Sequence, residues 1–142
     1  MDQEALNYRI IDHTADMGMA VKARSIRGLF SSAARAMTKI MVKGDFGNEK
    51  TERNISIDAE DYPDLMVRWL GEILYLFAGE GLITDAVEID ALSPTNLSAT
   101  LGMSVYSPGH HRVLREIKAV TYHDVSVRRT DDEWETRIIF DI

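Results

Sequence analysis

Acidic, basic and imidazole side chains gather at three places in this chain of 142 residues. The first is Asp12-His13-Thr14-Ala15-Asp16, the second Lys118-Ala119-Val120-Thr121-Tyr122-His123, and the third Phe140-Asp141-Ile142. A strand finishing at Ile142 would hold its terminal carboxylate in place, and Asp141 sets a second carboxylate one residue away. Two or three such oxygens, with Asp16, suit a hard cation such as Ca²⁺ or Mg²⁺. Exposed carboxylates are ordinarily just hydrated, and Asx and Thr residues between strands ordinarily make local turn hydrogen bonds. That second reading serves Asp12 and Thr14 equally well. In the Lys118 segment, strand parity puts Lys118 and Tyr122 on one face and Thr121 and His123 on the other, an ordinary strand with a polar edge.

Other chemistries are absent from the residue inventory. There is no cysteine, which removes disulfides, thiolate metal sites and cysteine nucleophiles. Gly44 and Gly47 flank no lysine-serine pair, and no serine sits in a nucleophile elbow. His13, His110, His111 and His123 lack the i, i+4 spacing of a helical zinc pair. The net charge of -7 argues against stable direct binding of RNA, because cations must neutralise the phosphates. Charge is uneven, however: Arg112, Arg115, Lys118, Arg128 and Arg129 fall close together against Glu116 and Asp124. Such a stretch suits an acidic partner or a phosphate, or is a solvated strand face. The polar, acidic start of the chain does not read as a signal peptide. The longest apolar run, 73–78, is far short of a membrane span. No membrane association and a cytoplasmic location are expected.

Periodicity supplies the elements that must position these residues. Alternation predicts strands at 8–12 and 17–24, the latter half-buried, joined as a hairpin around 13–16. Ser25 is a good N-cap, and Ile26, Leu29, Phe30, Ala33, Ala34, Met37, Ile40 and Met41 make one helical face. This helix, over 25–43, should carry Lys39 and Lys43 in its last turn and stop at Gly44. A strand at 54–59 precedes a second helix over 62–78, with Pro63 in its first turn. Its stripe of Met66, Trp69, Leu70, Ile73, Leu74 and Phe77, widened by Leu65 and Leu76, predicts deeper burial than the first helix. Gly79 and Gly81 stop it. Four strands follow, at 82–91, 97–106, 117–128 and 134–142. The order predicts one α+β domain over residues 1–142, a two-layer arrangement of two helices on a mixed β-sheet.

The three segments, the alanine-rich first helix and the Leu-Trp-rich second helix, taken in order from Tyr8 to Ile142, resemble the archease family. The resemblance implies an accessory protein, not an enzyme, that activates the RtcB-type GTP-dependent ligase of tRNA splicing. It would promote guanylylation of that ligase and its multiple turnover, and widen its choice of nucleotide. It also implies a bound divalent cation, calcium foremost, with Mg²⁺ or Mn²⁺ as alternatives. The ligands carry over onto Asp16, Asp141 and the terminal carboxylate of Ile142. Asp12, His13, Lys118 and His123 are secondary candidates. Two positions depart from the family pattern: Gly28 replaces the usual glutamate of the first helix, and Ile117 the usual valine before Lys118. The competing functions are a stand-alone metal-dependent hydrolase, which lacks a visible nucleophile and base, and a general chaperone or adaptor. Seven methionines suit an adaptable surface, but most fall on predicted core faces.

Overall fold

The computed structural model of the chain describes residues 4–12, 16–44 and 50–142, and of Asp12 the backbone alone. Strand β1 (Asn7–Asp12) pairs antiparallel with β2 (Asp16–Ala23). Helix α1 (Ile26–Met41) follows and runs directly into a short strand, β3 (Val42–Gly44). Next come β4 (Lys50–Asp58) and helix α2 (Tyr62–Glu80). Strands β5 (Leu82–Ser93) and β6 (Asn96–Val105) form a hairpin. The chain closes with β7 (His111–Val113), β8 (Ala119–Val120), β9 (Ser126–Thr130) and β10 (Glu133–Asp141).

These strands form three sheets. One has five strands, in the order β1-β2-β10-β8 with β9 also paired to β10; one has the order β4-β6-β5; and β3 pairs with β7 alone. The α+β class predicted above is what the structure has. The single mixed sheet is not: every pairing among the described residues is antiparallel. Short turns dictate this for β1–β2, β5–β6 and β9–β10; the longer connections of the other pairs return the chain antiparallel as well.

The helices line the inner faces of the two larger sheets. In β6 the alternation holds through Met103, with Leu97, Ala99, Leu101 and Met103 buried, and breaks at the buried Ser104. In β2 it is overridden: Met17 through Val21 are all buried, the off-core positions being the small Gly18 and Ala20, with the Ile11 and Ile139 side chains of β1 and β10 closing over Gly18. Helix α1 begins as predicted, the Ser25 hydroxyl accepting from the Gly28 N–H at 2.9 Å. It ends differently. Val42 turns extended (φ -142°, ψ 144°), so Lys43 and Gly44 belong to β3 and not to a helical cap. The expected ranking of burial is also reversed: 12 of 16 residues of α1 are buried, against 8 of 19 in α2. Its Gly, Ala and Ser side chains let both sheets approach α1, a consequence the apolar stripe does not reveal. In α2, Asp61 is the N-cap, accepting from the Asp64 N–H at 2.9 Å. Gly79 stays helical and Gly81 is the left-handed C-cap. One cluster of buried side chains runs through both helices and both larger sheets, with Trp69, Phe30 and Phe140 its largest members.

Candidate functional site

The register of the five-stranded sheet brings the three segments to one end. Across β1, β2, β10 and β8, Asp12 pairs with Met17, Met17 with Phe140, and Phe140 with Val120. One step further out, Asp16 pairs with Asp141 and Asp141 with Ala119. Met17 and Phe140 belong to the core. Strand parity therefore places Asp16 and Asp141 together on the opposite face. Side chains directly opposite in an antiparallel pair have Cβ atoms about 4.5–5.5 Å apart, and like charges placed so repel. Asp16 is half-buried, Asp141 exposed and Ile142 36% exposed.

The Lys118 segment is pinned beside this pair by backbone bonds. The Lys118 N–H donates to the Asp141 carbonyl at 2.7 Å. The Thr121 N–H and hydroxyl both donate to the Ile139 carbonyl, at 3.0 and 2.9 Å. The predicted strand over 117–128 is interrupted here. Only Ala119–Val120 pairs with β10, and the chain then turns, the Val125 N–H donating to the Tyr122 carbonyl and Asp124 taking φ 51°. Past the break, Tyr122 lies off the sheet and reaches α2. Its hydroxyl donates to Asp64 Oδ1 at 2.7 Å. The face assignments drawn from strand parity for Tyr122 and His123 therefore do not apply.

Asp64 was not singled out by sequence. It accepts from Tyr122, from the Glu60 N–H at 2.9 Å and from Arg68 Nε at 3.0 Å. The Tyr122 hydroxyl foremost, then the Glu60 N–H and Arg68, hold its carboxyl below the usual carboxylate range. The phenol of Tyr122 is pushed up in turn, first by that same bond. The available signal was the i, i+4 spacing of Asp64 and Arg68 after a proline-containing helix start.

Among the secondary candidates, Lys118 contributes its N–H to the end of β10, and its side chain is exposed. His123 is exposed and directs Nε2 to its neighbour Asp124, 3.3 Å away. The side chain of Asp12 and all of His13 lie outside the described residues. Among the described residues, no three His, Cys, Asp or Glu side chains gather into a metal-holding group. What the sheet end offers is a facing pair of hard oxygen donors with no thiolate. That donor chemistry fits Ca²⁺, Mg²⁺ or Mn²⁺ and not a soft metal. No helix among the described residues is long and apolar enough to cross a membrane.

Comparison with known proteins bears on the same segments. The sequence profile of the Archease protein family (MTH1598/TM1083) matches residues 8–142. The protein archease of Archaeoglobus fulgidus is 31% identical over 96% of this chain and 100% of its own. That of Methanosarcina mazei is 27% identical over the whole of both chains. The solution structure of Methanobacterium thermoautotrophicum protein 1598 superposes with a TM-score of 0.74 at 29% identity, covering 95% of this chain and 98% of that one. A crystal structure from Thermotoga maritima, described as an archease and possible chaperone, shares the fold with a TM-score of 0.65 at 22% identity, covering 93% and 94%. The profile match takes in Asp16, the Lys118 segment and Asp141, the residues that the register gathers at one sheet end, and the chain belongs to the archease family.

Proposed function

We propose that this protein is an accessory factor that activates an RtcB-type, GTP-dependent tRNA-splicing ligase, promoting its guanylylation and multiple turnover and widening its nucleotide choice. It acts on the ligase in the cytoplasm, as a single domain, without stable binding to RNA and without turnover of its own. The observation that carries the reading is the convergence of the three family segments at one sheet end, with Asp16 opposite Asp141. Family membership supports it.

Asp16, Asp141 and the carboxylate after Ile142 would hold the divalent cation, calcium foremost, with Asp12 next in line. Once bound, the cation would neutralise facing carboxylates and offset phosphate charge on the partner's nucleotide. The chain's own residues fix the surface around it. Thr121 and the Lys118 N–H clamp the second segment to the end of β10, and Tyr122 ties that segment to α2.

The test is guanylylation of the ligase by GTP with and without this protein. Stimulation by the parent is expected, and its loss with Asp16→Ala or Asp141→Ala. Both variants should fold normally, within about 0.5 kcal/mol of the parent, because both side chains lie on the face opposite the core and one of two facing like charges is removed. Added Ca²⁺ should raise the melting temperature of the parent and leave both variants unmoved. Residues appended after Ile142 should act as these substitutions do, since a peptide bond replaces a carboxylate with a neutral carbonyl. Failure of the parent to stimulate refutes the reading, and GTP or RNA hydrolysis by the protein alone would favour a metal-dependent hydrolase.

A further inference from the structure

Residues 113–118 form an irregular strap across the C-terminal end of α1. The N–H groups of Leu114 and Arg115 both donate to the Met41 carbonyl, at 2.8 and 3.3 Å. Past β7 the strap makes no strand pairing until β8. Val113 and Leu114 are 43% and 47% exposed, although both are aliphatic. A groove of about 360 Å³ lies to one side, lined by Met41, Leu74, Phe77 and Ala78 together with Val113 and Arg115. A second of about 360 Å³ is lined by Thr38, Lys39, Lys43, Ile83 and Leu114. Arg112, Arg115, Lys118, Lys39 and Lys43 are all exposed, and none has a salt bridge among the described residues. Against them the strap has one carboxylate, Glu116, in a chain whose net charge is -7.

We infer that this strap and its grooves are the surface on which the partner protein docks, through a segment of its chain that carries aliphatic or aromatic side chains among Asp and Glu. The charge sets the sign of the partner, because a local cationic field on an anionic protein selects and steers an anionic surface. The lining sets its class. Apolar floors beside exposed aliphatics reward burial of carbon, as the centre of a protein interface does. RNA presents phosphates and stacking bases, and the net charge of the whole chain repels it. Position ties the surface to the site. The strap ends at Lys118, whose N–H meets the carbonyl of Asp141, so a segment seated there ends beside the Asp16–Asp141 pair. This deepens the proposed function and rests on it for the identity of the partner.

Calorimetric titration of the ligase with the parent, Arg115→Glu, Leu114→Ser and Asp16→Ala tests the inference. Arg115→Glu and Leu114→Ser should each weaken binding by about tenfold or more, with the parent's circular dichroism spectrum and melting temperature. Asp16→Ala should bind as the parent does while failing to stimulate guanylylation. Groove variants that bind like the parent overturn the inference and leave the proposed function standing. So does a single-stranded RNA oligonucleotide that binds the parent and is lost on Arg115→Glu, or a dimer in sedimentation that Leu114→Ser dissolves. Should the parent not bind the ligase, the proposed function falls first. The surface is then judged with a short Glu- and Leu-bearing peptide and its Lys-for-Glu counterpart. Binding of the acidic peptide alone, abolished by Arg115→Glu, upholds the surface; binding of both or neither refutes it.

Discussion

Asp64 and Tyr122 lie 58 residues apart and meet at the start of α2, where the phenol donates to the carboxylate. A carboxyl whose folded pKa is depressed contributes stability above its unfolded pKa, and that contribution is lost as pH falls through the folded pKa. Since the Tyr122 hydroxyl is the foremost cause of the depression at Asp64, Tyr122→Phe should move the Asp64 titration upward. The Glu60 N–H and Arg68 still act, so the shift stays partial. Carbon-detected NMR titration of the Asp64 carboxyl would read it, and an unmoved midpoint would show the bond to be absent in solution. Little of this was legible in the sequence. The residue types at Asp16, Asp141 and His123 marked them as candidates for chemistry. Which of them meet is decided by β2 pairing with β10 across most of the chain length, and no local pattern encodes that register. Donor chemistry suggested joining Asp16 to Asp141, and the family resemblance implied the same pair. It could not show that His123 turns to Asp124.

Elements whose signal is local were the legible ones. Both helices start where Ser25 and the Asp61-Tyr62-Pro63 run indicate, because an N-cap acts within one turn. Strands β3 and β7, three residues each, were not seen: a period of two cannot establish itself over so short a run. Two of the three glycines expected to end helices, Gly44 and Gly81, separate at this scale as well. Gly81 caps α2 at φ 68° with open space around it, a Cβ there coming no nearer than 3.9 Å to Tyr106. Gly44 sits in β3 at φ 142°, and a Cβ there would collide with the His110 backbone across the β3–β7 pair. Gly81→Ala should therefore cost only the left-handed conformation, about 1–2 kcal/mol. Gly44→Ala should cost more and separate β3 from β7. Chemical denaturation gives the energies, and amide exchange at Arg112 and Val113 reports the ribbon. Equal costs with unchanged exchange would contradict the assignment of Gly44 to a close backbone approach.

The whole molecule turns on whether two large sheets share one cooperative core. Trp69 of α2 is fully buried and donates Nε1–H to the Phe30 carbonyl of α1 at 2.8 Å, locking the helices together. Helix α1 in turn packs on β2 and β10 of one sheet and β5 of the other. Deleting this side chain should thus be felt in both sheets at once. Trp69→Ala should cost about 3–5 kcal/mol, as large aromatic truncations in cores do, a substantial share of the roughly 5–15 kcal/mol of a typical domain. Trp134 is the only other tryptophan of the chain. It lies in β10, half-buried and edge-on to Tyr62 at 6.1 Å. In the variant its fluorescence therefore reports the five-stranded sheet and its contact with the first turn of α2, whereas far-ultraviolet circular dichroism averages over helices and all sheets. One shared core predicts that the two probes give coincident urea transitions, displaced together from the parent's. Trp69→Phe keeps the ring and loses the hydrogen bond, and should fall between parent and alanine variant with the same coincidence. Transitions that separate, the fluorescence midpoint unmoved while dichroism shifts, would mean that the sheet carrying Asp16 and Asp141, with the first turn of α2 against it, folds independently of the α1–α2 contact at Trp69. The end of that sheet would then owe its geometry to β-pairing and to the Tyr122–Asp64 bond, and not to the packing of α2 on α1.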